Sequence, residues 1–458
     1  MESRNSFYKK INIGNKNPSR VIVLGFLALI IIGTFLLTLP IASADGNKLD
    51  ILSALFTATT ATCVTGLTVV DIATQFSTFG EIVILTLIQI GGLGLMTFGT
   101  LVFLLFGKNI GLRNRIFLQE SLNQITLSGI VRLAKSLIFT TFIVESIGAL
   151  ILTIRFSFDM PTGLAAYYGI FHSISAFCNA GIDLFGTISG PFTSITSYSF
   201  DWIVSCTIML LVILGGLGFP VIIDLLRNIN IKKAKWSLHT KLVIAVTSTL
   251  ILGGALSFFI FEYNNPWTLQ HLSFSDKILS SLFTSISTRT AGFNTLNISH
   301  FKTTTLFLTI ILMAIGASPS STGGGIKTTT FGVLLAVVFS TIKGQDEITL
   351  YKKRISNNIV MKAITITCIA LFLIIFSTML LSVTEDFDFI AIMFEVVSAF
   401  GTVGLSTGIT PSLSVLGKSI IIILMFIGRL GPMTIGVALT QKIKKSLFHY
   451  PEEKVIIG

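Results

Sequence analysis

CVTGL (residues 63–67), CNAGI (178–182), RTAGF (289–293) and GTVGL (401–405) are four small-residue turns, each with glycine in fourth place and each set between two long apolar stretches. Their glycines, Gly66, Gly181, Gly292 and Gly404, lie 115, 111 and 112 residues apart. A short amphipathic segment runs into every one of them. So regular a spacing marks one unit written four times, and four hairpin-with-loop units around an axis enclose a pore.

Composition points to a lipid solvent. Of the 458 residues, 52% are hydrophobic and only 12% charged, with a mean hydropathy of +0.85. An ordinary soluble domain carries about 25% charged residues. Runs such as 21–37 and 203–214 approach the roughly 20 apolar residues that a spanning helix needs. The N-terminal stretch is polar and basic without a small-residue cleavage site behind a short apolar core, so no cleavable signal is expected.

The formal net charge of +11 is topological rather than a mark of nucleic acid. Residues 4–20, 108–135, 227–241, 343–362 and 442–454 hold 24 of the 32 Lys and Arg residues, and the loops between hold few. The positive-inside rule then places both termini and these loops in the cytoplasm, facing anionic lipid. Cys63, Cys178, Cys206 and Cys368 fit neither a metal spacing nor a disulfide framework, and Cys206 and Cys368 read as small packing residues within spans. The five histidines are scattered without an HExxH pair. An intramembrane enzyme would need paired acids or histidines within the spans; Glu145 and Glu395 stand isolated, so no catalytic site is expected.

The chain therefore divides into a tail (1–20), four units (21–107, 130–226, 240–342, 357–440) and a second tail (441–458). In each unit a segment of 9 to 12 residues sits between two crossings, at 52–60, 166–177, 277–288 and 389–400. Such a segment is too short to cross a bilayer and re-enters only where protein or water encloses it. Two full crossings per unit keep successive units parallel, unlike the inverted repeats of many carriers. The fold class expected is an all-α integral membrane protein, a pseudo-fourfold ring with eight spans and four re-entrant half-helices. A carrier of an organic solute is the rival from another class, and parallel units disfavour it.

A cation leaving water needs replacement oxygens, and rings of backbone carbonyls supply them. Lining an axis with carbonyls requires alternating backbone conformation, which glycine's positive φ permits. The candidate lining is Val64, Thr65 and Gly66; Asn179, Ala180 and Gly181; Thr290, Ala291 and Gly292; and Thr402, Val403 and Gly404. Thr62, Thr290 and Thr402 add hydroxyls nearby. Each half-helix also aims its negative C-terminal end inward, which favours a cation.

On these turns the chain resembles the Trk/Ktr/HKT superfamily of potassium transporters, and most closely its KtrB-type bacterial subunits, over residues 21–440. The resemblance implies that the four glycines help form a K⁺ filter. Some relatives with serine in the first turn favour Na⁺, so Gly66 implies K⁺, with a Na⁺-permeable member of the family as the alternative. It also implies a homodimer, one pore per protomer, docked on a cytoplasmic ring of nucleotide-binding KtrA-like subunits, with no cofactor in the chain itself.

Residues 304–342 are a special case. At roughly 1.5 Å per residue this segment would be about 58 Å long as one helix, far beyond a hydrocarbon core of roughly 30 Å. Its middle reads GASPSSTGGG, namely Gly316, Ala317, Ser318, Pro319, Ser320, Ser321, Thr322, Gly323, Gly324 and Gly325. Proline lacks a donor and three successive glycines do not hold a helix, so helix–loop–helix is expected. GGGIKT is not a phosphate-binding loop, because Ile326 separates glycine from Lys327 and no strand precedes it. The resemblance implies an intramembrane gate here. Gly316 follows Gly292 by 24 residues and Gly428 follows Gly404 by the same 24, so Arg429 falls near the depth of the loop, a costly place for a charge without partners. The loop carbonyls are its expected partners. Arg289 is expected to pair with Glu395, Asp71 and Asp183 to attract cations at the outer mouth, and Glu145 to face a buried partner or a crevice.

Overall fold

In the computed structural model, residues 18–94, 97–99, 111–121, 129–228, 236–345, 347–439 and 453 are described. Most of the two tails, the stretches 122–128 and 229–235 of two basic loops, residue 346 and most of the end of the first unit's second expected span (within 95–110) lie outside them. Among the described residues four helices are long and apolar enough to cross a membrane: α1 (Pro18–Leu37), α4 (Ile130–Phe156), α8 (Leu238–Glu262) and α12 (Asn357–Thr384). They turn large apolar side chains outward, among them Leu24 and Phe35 on α1, Phe139 and Leu150 on α4, Leu252 and Leu256 on α8, and Phe372 and Met379 on α12. In water such a surface would be a liability; against lipid it is the expected one. Cys368, read from sequence as a packing residue, is instead exposed on α12.

Four shorter helices follow the opposite rule. They are α2 (Ile51–Cys63), α5 (Thr162–Phe177), α9 (Phe274–Ser287) and α13 (Phe389–Gly401). At 13, 16, 14 and 13 residues they exceed the expected 9 to 12: α5 and α9 begin earlier in the polar flank, while α2 and α13 run further at their C-terminal ends. The carboxylate of Asp50 accepts from Leu52 N and Ser53 N at the start of α2, and the hydroxyl of Ser273 accepts from Asp276 N at the start of α9, each a favourable N-cap. They still fall short of a bilayer. Residues 56–63 of α2 and 392–401 of α13 are buried almost without interruption, so protein encloses them.

The helices that follow each turn are α3 (Thr78–Leu93), α6 (Trp202–Leu217), α10 (Thr303–Ala314) and α14 (Val415–Leu430), and none runs straight through. α6 bends by 100° into α7 (Phe219–Asn228), and α14 by 90° into α15 (Pro432–Leu439). α10 gives way to a loop and then α11 (Thr328–Ile342). The break at 315–327 was expected; those in α6 and α14 were not, where single spans were expected. Their cause is a glycine in the same strained conformation, Gly218 (φ 87°, ψ 138°) and Gly431 (φ 83°, ψ 136°). Gly94 (φ 82°, ψ 135°) ends α3 in the same way, and only glycine enters this region freely. Counting each bent pair as one span gives up to six crossing-length candidates among the described residues.

The first and last of these helices meet: Arg20 Nε on α1 donates to the carbonyl of Ala438 on α15 at 2.5 Å. The only β-sheet among the described residues is a hairpin, Thr349–Leu350 with Lys353–Arg354, turned by Tyr351 and Lys352 at positive φ.

Candidate functional site

Each short helix ends in the same backbone figure. Two residues before the glycine the chain enters the left-handed region, at Val64 (φ 55°), Asn179 (61°), Thr290 (67°) and Thr402 (50°). The glycine then takes a second positive φ, 95° at Gly66, 65° at Gly181, 83° at Gly292 and 92° at Gly404. Positive φ at a β-branched residue such as Val64 costs energy and persists only where the surroundings impose it. Part of that imposition comes from hydroxyls near the end of each short helix. Thr60 Oγ1 accepts from Gly66 N at 3.0 Å, and Ser398 Oγ from Gly404 N at 3.1 Å. Ser175 Oγ accepts from Ile182 N at 3.1 Å and donates to its carbonyl at 2.7 Å, and Ser287 Oγ donates to the carbonyl of Phe293. These hydroxyls were not singled out from sequence, although in three units they stand six residues before the glycine.

The four turns close on one another in chain order. A Cβ at Gly66 would lie 2.5 Å from the carbonyl oxygen of Ala180, one at Gly181 2.6 Å from that of Ala291, and one at Gly292 2.8 Å from that of Val403. At Gly404 it would collide with the carbonyl of Thr65, which completes the circuit. All twelve residues read from sequence as a lining are thereby brought together, with backbone oxygens from every unit around one centre and no charged side chain among them. Such a ring can replace the hydration of a cation.

A cavity of about 330 Å³ opens above the ring and is lined by all four glycines. Asp71 and Asp183 line it too, while among the described residues no Lys, Arg or His does. Burial and the nearby carboxylate of Asp71 push the Asp183 carboxyl up to about 7, although an N–H bond from Phe185 opposes the shift. Asp71 is held by Thr74 N at 3.0 Å and Phe192 N at 2.9 Å.

Below the ring lies the loop 315–327. Gly324 N donates to Thr402 Oγ1 at 2.9 Å, and a Cβ at Gly323 would collide with Thr290 Oγ1. Thr290 Oγ1 also meets the Asn179 amide at 3.2 Å, in either orientation of that amide. Ser318 N donates to Gly216 O at 3.0 Å, Phe219 N to Ser320 O at 3.1 Å, and Thr322 Oγ1 to Phe177 O at 3.3 Å. The neck is closed by Gly316 N to Ile326 O at 2.8 Å, and Thr328 N reaches Ala317 O at 3.3 Å. Pro319 packs its carbonyl on Gly218, the Ser321 hydroxyl oxygen is buried without a partner among the described residues, and Gly325 turns at φ 67°.

Three cations hold this loop. Arg429 Nη1 donates to the carbonyl of Thr322, and its Nη2 to those of Gly91 and, at 3.2 Å, Gly92. Lys327 Nζ donates to Gly323 O at 2.6 Å. Arg289 donates to Ile315 O at 2.8 Å and Gly316 O at 2.9 Å. Arg429 thus finds the carbonyl partners expected of it, and a further set in the first unit. The expected Arg289–Glu395 pair is not formed: Glu395 accepts instead from Ser406 Oγ, Thr407 N and Thr410 Oγ1. A carboxylate with a full set of local donors gains little from a distant guanidinium. Glu145 has a buried partner, Gln89 Nε2 at 3.1 Å, with Cys178 Sγ at 4.0 Å.

A second set of glycines fixes the helices that follow. A Cβ at Gly91, Gly215 or Gly428 would collide with the carbonyl of Thr62, Phe177 or Phe400, in each case the residue four before the ring glycine. The signal was present as GGLG (91–94), GGLG (215–218) and GRLG (428–431), in which Arg429 replaces the second glycine.

A family model for TrkH, cation transport protein, matches residues 4–449. The Ktr system potassium uptake protein B of Bacillus subtilis is 44% identical over 443 residues, which cover 96% of this chain and 97% of that one. The potassium/sodium uptake protein NtpJ of Enterococcus hirae is 38% identical over 450 residues, again 96% and 97% of the two chains. Among solved structures, that of the potassium transporter TrkH from Vibrio parahaemolyticus superposes with a TM-score of 0.73 at 18% identity, over 94% of this chain and 86% of that one.

Proposed function

The chain belongs to the TrkH family of cation transport proteins, and from that premise we propose that it is the K⁺-translocating membrane subunit of a potassium uptake system, with the glycine ring as its selectivity filter and the loop 316–325 with Arg429 as its gate. The observation that carries this reading is the closed circuit of four turns, each presenting a backbone oxygen to the glycine of the next. K⁺ moves down its electrochemical gradient through the ring, and the loop bars the path beneath it. Three uncompensated cations at the loop repel a cation on the axis while the loop is seated.

In this reading the four units, 21–107, 130–226, 240–342 and 357–440, each supply two crossings and a half-helix, eight spans in all, with both termini and the tails 1–20 and 441–458 cytoplasmic. The chain works as a homodimer in the bacterial cell membrane under a cytoplasmic nucleotide-binding ring; a relative named as part of a Ktr system supports this. A second reading, Na⁺ passage alongside K⁺, is favoured by the relative named for both ions.

Purified protein in liposomes decides between them through K⁺, Rb⁺, Na⁺ and Li⁺ fluxes, for the wild type and Gly66→Ser. K⁺ flux well above Na⁺ flux, narrowed by the substitution, is the expected result. Equal K⁺ and Na⁺ fluxes in the wild type would support the second reading. Flux indifferent to the ion and to the substitution would remove the ring as the filter. Gel filtration checks that the variant folds, since serine at Gly66 must hold a left-handed backbone.

A further inference from the structure

We propose that Arg289 is a positioning residue that couples the ring to the loop beneath it, so that ion discrimination and ion flow change together when the loop's neck moves. The inference rests on the reading of the ring as filter and the loop as gate.

Arg289 is the residue immediately before the third lining triplet and is only 6% exposed. Its two Nη groups donate to Ile315 and Gly316, where α10 stops and the neck of the loop is bridged to Ile326. Among the described residues Nε has no acceptor, and no carboxylate pairs with the guanidinium. Every polar partner of this side chain therefore sits on the neck. A neck displaced from its seat leaves a buried guanidinium unpaired, which is strongly unfavourable. The remedy is for the arginine, and with it the third turn, to move as well. Its backbone is tied into that turn, N donating to Ile286 O at 2.9 Å, with Thr290 next to it at φ 67°.

The other units give an independent reason. Three residues before the glycine they carry Cys63, Cys178 and Gly401, all small. The one arginine at this register belongs to the unit whose following helix opens into the loop. Arg429 does different work, since it holds the tip at Thr322 from the fourth unit. A ligand or element shifts an equilibrium only through contacts that differ between its states, and Arg289 makes contacts that a displaced neck would break.

The test measures K⁺ and Na⁺ flux of the full chain in liposomes. Arg289→Gln is expected to raise K⁺ flux and to lower the K⁺/Na⁺ flux ratio, each by about fivefold. Arg289→Lys, which keeps the charge but not the two-pronged geometry, falls between. Arg429→Gln raises flux at an unchanged ratio. A changed flux at constant ratio, or a changed ratio at constant flux, in Arg289→Gln would overturn the coupling. Should that variant fail to fold, Gly316→Ala drives the neck against Gly324 with Arg289 intact. The same paired shift is expected there, and a change in flux alone overturns the proposal. A wild type without K⁺ preference, insensitive to Gly66→Ser, would instead remove the filter reading, and the coupling with it.

Discussion

At the glycine ring the four units are interchangeable, with the same two positive-φ residues, hydroxyls behind them, and a carbonyl offered to the next glycine in chain order. One layer below they are not. The helices after the first, second and fourth turns each seat a glycine on the carbonyl four residues before the ring, while in the third unit Gly316 packs on its own loop at Gly324. The ring is neutral, and the layer beneath gathers Arg289, Lys327 and Arg429 onto backbone oxygens. Coordinating an ion on an axis rewards symmetry, because every quadrant does equal work. In the proposed reading, closing the path needs one element that differs, and the third unit is the one that departs from the others.

The sharpest way to break this comparison is at the glycines that seat the helices. Gly215→Ala places a methyl on the carbonyl of Phe177, whereas at adjacent Gly216 the nearest atom is the Asn179 amide nitrogen at 3.5 Å. Overpacking against backbone costs about 1–3 kcal/mol or more. Thermal unfolding in detergent should show Gly215→Ala clearly destabilised and Gly216→Ala close to wild type. Equal melting temperatures would mean that the close approach is not what aligns the helices.

A hydroxyl pair probes the two layers directly. Thr402→Val deletes the acceptor of Gly324 N, and an orphaned buried donor costs about 1–3 kcal/mol. That loosens the loop and should raise K⁺ flux about fivefold or more. Among the described residues Thr62 Oγ1 has no partner, so Thr62→Val should leave flux unchanged. Similar effects from both would show that the loop's seat does not limit flow.

The smallest effect belongs to the outer mouth. With its carboxyl at about 7, Asp183 is neutral below that pH and charged above it. Its pull on cations is therefore present at higher pH and lost as pH falls through the neutral range. Uptake at low external K⁺ should rise about two- to threefold across this window, and Asp183→Asn should flatten the profile. A profile that keeps its slope in the variant would assign it to another group.

Much of this was legible in the chain. The period of the four turns marked the ring, the GASPSSTGGG run marked the broken helix, and the alignment of Gly316 with Gly428 put Arg429 at the loop's depth. The partner of Arg289 was not legible, because complementary charge suggested Glu395, which had nearer donors in its own turn. Nor were the bends at Gly218 and Gly431 read, since an apolar run continues across them and hydropathy does not register a backbone angle. The repeated G-x-L-G carried that signal.

What the sequence determined alone was the apolar solvent, the fourfold unit, the register of the glycines and the site of the helix break, all properties of spacing and composition along one dimension. Only the tertiary structure decided that the four turns close in chain order, that three cations converge on the backbone oxygens of one loop, and that Arg289 grips its neck. Those depend on which carbonyls lie within a hydrogen bond's reach once helices far apart in sequence are packed, and backbone oxygens leave no trace in the identity of the residues that carry them.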